Sequence, residues 1–137
     1  MLVLLLGLLY ATTPNLKVTP GVVNPKVTQA ISCTTKWGKD RRHVTETMKR
    51  NVAKAYHVPW AQRARFEFDH LISRELGGAD DERNLWPQPK FGARTAGQKD
   101  VLENKLHRMV CSGELTLGAA QEAIRADWWS AYQRFVQ

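Results

Sequence analysis

The sequence predicts an α+β fold, a two-stranded hairpin with a helix packed on it and two further helices completing the core. Two observations carry this. Phe66 to Pro89 reads FEFDHLISRELGGADDERNLWPQP, a strand pattern followed by a turn-rich loop and a short apolar return segment. Downstream, Leu102, Leu106 and Met109-Val110 recur at helical spacing behind a capping signature at Thr95-Ala96-Gly97-Gln98.

Taken in order, Leu2 to Leu9 form a leucine-rich run. It falls short of the about 20 apolar residues that span a bilayer, so no stable membrane span is expected. A signal peptide over residues 1–11 is expected instead, cut near Ala11, although no Lys or Arg precedes the run. Residues 12–30 are rich in Thr, Pro and Asn and read as an extended segment lying on the surface or partly disordered. Trp37-Gly38 reads as a turn beside a basic cluster of Lys36, Lys39, Arg41 and Arg42. Val44, Met48, Val52 and Ala55-Tyr56 then predict a helix over Thr45 to His57, stopped by Pro59 and carrying Lys49, Arg50 and Lys54 outward. His43 and His57 lack acidic or Cys neighbours at ligand spacing and read as structural.

In the central stretch Phe66 and Phe68 share one strand face, and Glu67 and Asp69 share the other. An acid and an imidazole, Asp69 and His70, therefore reach the strand end together. Gly77-Gly78 and Asp80-Asp81 make the loop, and Asn84-Leu85-Trp86 returns before Pro87 and Pro89. Folded as a hairpin, the stretch presents His70 and Asn84 close in space, with Asp69 beside them as an oxygen ligand for a metal. After the helix that ends near Gly113, Thr116 is a cap for one last helix, in which Leu117, Ala120, Ile124, Trp128, Ala131-Tyr132 and Phe135 keep the 3-4 period.

The run Asp69-His70, a loop with paired glycines, then Asn84-Leu85 ahead of a helix resembles the HNH nucleases of the ββα-metal superfamily. The longer pattern of DHLISRELGG, NLWPQP, KDVLEN, VCSGELTL and AQEAI..DWW resembles a branch of small exported HNH-like proteins, over roughly Thr19 to Tyr132. The resemblance implies a ββα-metal core within a single nuclease domain over residues 31–137. It also implies a metal-dependent endonuclease of little sequence specificity, acting on nucleic acid, with DNA favoured over RNA.

Phosphodiester hydrolysis needs a nucleophilic water, a cation to neutralise developing charge, and residues that hold the backbone in line. His70 is the expected general base, since imidazole titrates nearest neutral pH. Asp69 is the expected ligand of a divalent ion, Mg²⁺ or Mn²⁺. Asn84, by resemblance, orients the His70 ring or braces the loop. Arg74 and Arg83 are expected to pair with phosphate oxygens. Glu67 reads equally as an acid supporting Asp69 or as a solvated strand residue.

The chain departs from the family pattern where the helix usually supplies a His or Asn to the metal. That neighbourhood holds Ala93, Arg94 and Gly97. The polar residues available are Asp100 and Glu103, which could ligate a metal, and Lys99, which would replace metal charge and stand with the nucleic-acid-binding residues. Asp100 ranks first, then Glu103, then Lys99, against the alternative of ordinary surface ion pairs.

With 137 residues there is room for one domain, and a monomer is the default. The formal charge of +7 favours a polyanionic partner. Cys33 and Cys111 have no metal-site spacing, so one disulfide is expected, against the alternative of two buried free thiols. With the leader, the disulfide points to a periplasmic or extracellular location. Two other readings stand beside the nuclease: a nucleic-acid-binding module on the same fold that has lost catalysis, and an envelope interaction protein in which Asp69, His70 and Asn84 only brace a loop.

Overall fold

A computed structural model describes residues 12–137. The signal peptide expected over 1–11 lies outside the described residues. The elements run α1 (Gln29–Thr34), α2 (Glu46–Ala55), β1 (Phe66–His70), β2 (Leu85–Pro89), α3 (Ala96–Cys111), α4 (Leu117–Ala126) and α5 (Trp128–Phe135). The architecture is α+β: one antiparallel hairpin followed by a long helix, with helices around it.

In the hairpin Phe66 pairs with Pro89, Asp69 with Trp86 and His70 with Leu85. Strand alternation sends the two sides into different environments. Phe66 packs with Ala53 of α2 and Val58, while Trp86 enters the main core with Leu102 and Leu106 of α3, Ile124 of α4 and Trp128 of α5. Asp69 lies opposite Trp86 and so shares the side that meets α3.

Capping chemistry sets the helix starts. Thr45 accepts from the Met48 amide, and Thr95 and Gln98 close a full capping box that fixes the first turn of α3. The helix expected over Thr45 to His57 ends at Ala55, because His57 takes a left-handed conformation (φ 54°) before Pro59. The single last helix expected after Thr116 is two. Asp127 is extended, accepts from the Trp129 and Ser130 amides, and starts α5 afresh.

The segment expected to lie extended on the surface runs there, with Thr19 the buried residue among 12–30, and it is hydrogen-bonded to the hairpin loop. Thr19 is fully buried and donates to the Leu85 carbonyl, Gly21 donates to Arg83, and Asn24 donates to Gly77. Helix α1, which the Thr- and Pro-rich composition hides, follows at its end and is tied to α3 by the Cys33–Cys111 disulfide, whose Cα atoms are 5.6 Å apart. No helix among the described residues is long and apolar enough to cross a membrane.

Candidate active site

The loop between β1 and β2 is held by one buried side chain. Asn84 accepts from the Ile72 amide at 3.0 Å and donates to the carbonyls of Ile72 and Ala79, each at 3.0 Å. Its own carbonyl accepts from Leu71 at 2.7 Å. Of the two roles expected for Asn84, the geometry matches the brace, since its side chain bonds to loop backbone and not to His70. Gly77 sits in the left-handed region (φ 84°), and a Cβ on Gly78 would stand 1.7 Å from the Ile72 carbonyl oxygen. Both glycines are thus required for the chain to close around Asn84.

His70, at the end of β1, takes its orientation from Asp80 in that loop. Nε2 lies 2.7 Å from Asp80 Oδ1. Burial pushes the Asp80 carboxyl up, but the His43 amide, the His70 ring and Arg74 together hold it below its ordinary value. Asp80 is therefore an ionised acceptor, which assigns the shared proton to Nε2 and leaves Nδ1 with the lone pair. Nδ1 makes no hydrogen bond among the described residues. Burial pushes the imidazole pKa down, against the pull of Asp80 and Asp69, so the ring is neutral near pH 7.

Arg74 anchors this pair. Its guanidinium donates to Asp40 and to the Arg41 carbonyl, and its Nε lies 3.3 Å from Asp80. The expected phosphate contact is thus engaged by two carboxylates. Arg83 is likewise paired, with Asp81 at 2.9 Å, on an exposed surface.

The largest departure from expectation is Lys99. Its side chain is 0% exposed, and its ammonium lies 2.8 Å from Asp69 Oδ2, 2.5 Å from Glu103 Oε1 and 2.7 Å from the His70 carbonyl. An ammonium so enclosed cannot reach a phosphate backbone, so the reading of Lys99 as a nucleic-acid contact gives way. Burial alone would lower its pKa, but Asp69 and Glu103 raise it above the ordinary lysine value, and it stays charged.

Asp69, Asp100 and Glu103 bring carboxylate oxygens within 4.8 Å of one another. They are the three residues the sequence offers as metal ligands. Burial pushes Glu103 up to about 8, with Lys99 pulling it down and Asp69 pushing it up. Burial and the nearby Asp69 likewise raise Asp100, and burial, Asp69 and Asp100 raise Glu67. One ammonium among three carboxylates leaves the cluster short of positive charge. A set of hard oxygen donors in that condition fits a divalent cation such as Mg²⁺ or Mn²⁺. Glu67 is exposed on the strand edge beside it.

His70, Asp69, Asp100 and Glu103 all line one cleft of about 250 Å³, together with Arg42 and Ser73. Asp80, Asp40 and Ser73 are the participants that sequence reasoning misses. Only Asp80 left a trace, as part of an acidic pair in the loop. The other group with metal-ligand chemistry, Cys33, His107 and Cys111, is committed elsewhere, since both sulfurs are in the disulfide.

No protein-family model matches the chain, and comparison with curated proteins and with solved structures finds no match.

Proposed function

We propose that this protein is a small, exported, metal-dependent endonuclease of the HNH type, hydrolysing phosphodiester bonds of nucleic acid, DNA in preference to RNA, with little sequence specificity. The observation that carries the reading is an imidazole, fixed by Asp80, lining the same cleft as the Asp69, Asp100 and Glu103 carboxylates. In this reading His70 Nδ1 takes a proton from a water as the water oxygen bonds to phosphorus and the bond to the leaving oxygen breaks. Asp80 stabilises the imidazolium that forms, and Arg74 keeps Asp80 in place. Asp69, Asp100 and Glu103 would hold the divalent ion, which when bound neutralises charge on the phosphate and leaving oxygen. Asn84 acts through the loop it braces. The disulfide supports an oxidising, extracytoplasmic location.

The Lys99 ammonium among the carboxylates favours a second reading, a nucleic-acid-binding or envelope interaction module on the same fold without catalysis. Incubating the oxidised protein with supercoiled plasmid in Mg²⁺, Mn²⁺ or chelator separates the two. Nicking that chelator abolishes supports the endonuclease; intact plasmid under all conditions, with retained binding, supports the module.

A further inference from the structure

Arg74, Arg83 and Lys99, the cations expected to contact nucleic acid at the site, are all paired with carboxylates, yet the chain carries +7. Part of the excess lines a second groove, of about 620 Å³, beside the first residues of β1. Four separate pieces of chain supply it: Arg42 from the segment before α2, Lys49 from α2, Arg63 from the turn ahead of β1, and Lys90 from just past β2. None of the four forms a salt bridge among the described residues.

The groove is organised around Trp60. The Arg50 guanidinium lies 4.4 Å and that of Arg63 5.1 Å from its ring centre, and Phe68 packs 5.9 Å away. Cation–π contact of this kind holds long side chains in place before any ligand arrives, which lowers the ordering cost of binding. Of the two carboxylates on the lining, Glu46 is taken up by Arg50, and Glu67 stands at the boundary with the cleft. Arg42, Glu67 and Phe68 line both cavities, so the groove and the His70 cleft adjoin.

We propose that the groove lined by Arg42, Lys49, Arg63 and Lys90 binds the phosphodiester backbone of a nucleic-acid strand, which then crosses the Phe68 edge of β1 into the cleft. The path into the cleft rests on the endonuclease reading; the binding of phosphates in the groove does not. Guanidinium and ammonium groups with no carboxylate partner among the described residues, at several points along one channel, match a chain of regularly spaced phosphates better than a single small anion.

The test is fluorescence anisotropy of a short labelled single-stranded oligonucleotide, in chelator, across a salt series. It compares the wild type with Lys49→Gln/Arg63→Gln/Lys90→Gln and with a control of equal charge change, Lys17→Gln/Lys26→Gln/Lys105→Gln, whose residues line neither cavity. The groove variant is expected to lose roughly two units of the log-log salt slope, with the control close to wild type. Circular dichroism checks folding, and if the triple variant unfolds, each single substitution should still remove roughly 0.7 unit. An unchanged slope in the groove variants, equal losses in groove and control, or no binding by the wild type would overturn the proposal. A wild type that binds steeply but leaves plasmid intact in Mg²⁺ and Mn²⁺ would end the endonuclease reading and leave the groove standing.

Discussion

His70 Nε2 stands 2.7 Å from Asp80 Oδ1, and that contact places the ring proton on Nε2 and leaves the lone pair on Nδ1. Two residues ten positions apart thereby act as one unit, because the loop brings Asp80 back over the end of β1.

Replacing His70 with Ala should lower plasmid nicking by roughly 100- to 10,000-fold while leaving oligonucleotide binding intact, the range for a positioned proton acceptor. Asp80→Asn should lower it less, by about 100-fold, through misplacement of the ring. The pH profile separates the roles. Because burial holds the His70 pKa below its ordinary value, the acid limb should fall below pH 6.5 as the ring gains a proton and loses its lone pair. Asp80→Asn removes a charge that favours the imidazolium, so that limb should move further down. A limb unmoved by Asp80→Asn, or full activity in His70→Ala, would sink this mechanism.

Much of this arrangement is legible in the sequence, and the illegible parts share a cause. The hairpin, the Asp69-His70 strand end, the capping box of α3 and the disulfide are each signalled by local pattern or by residue type. Lys99 is not, since a lysine in the first turns of a helix reads as solvated. Its burial is tolerable only because Asp69, thirty residues earlier, and Glu103 converge on it. The break between α4 and α5 is hidden differently. Ile124 and Trp128 keep helical spacing across it, so periodicity runs through a junction that Asp127 creates as a cap.

Asn84→Ala should destabilise the fold by about 3 kcal/mol or more. It strips partners from the Ile72 amide and from two carbonyls inside the loop, at about 1–3 kcal/mol for each buried group left unsatisfied. Urea denaturation measures the loss. A midpoint within error of wild type would mean that the loop closes without this brace.

Reducing the Cys33–Cys111 bond, or replacing both residues with Ser, should lower stability by roughly 4 kcal/mol on the chain-entropy account, since the bond closes a 78-residue separation. Both cysteines are exposed, so a mild reductant should suffice without prior unfolding. Thermal melts with and without reductant check this, and coincident melts would show that packing of α1 on α3 does not depend on the link.

The sharpest prediction concerns Lys99. In Lys99→Met the Asp69, Asp100 and Glu103 carboxylates face one another with no ammonium between them, and the His70 carbonyl loses its donor. Removing one partner of a buried ionic cluster costs about 3–5 kcal/mol, so the melting temperature near pH 8 should drop sharply. The sign of the pH dependence follows from Glu103, whose folded pKa is already raised to about 8 by burial and rises further without Lys99. The folded variant then binds more protons than the unfolded chain, so its stability falls as pH rises from the unfolded carboxylate range toward 8 and recovers on acidification. Divalent cation should recover it too. If the cluster accepts Mg²⁺ or Mn²⁺, saturation a hundredfold above Kd restores about 2.7 kcal/mol, with no activity measurement required. Lys99→Met that melts with wild type at every pH would show that the ammonium contributes nothing to holding α3 against the hairpin. Destabilisation relieved by acid but by neither metal would confine the cluster to ion pairing and remove Asp69, Asp100 and Glu103 as a cation site.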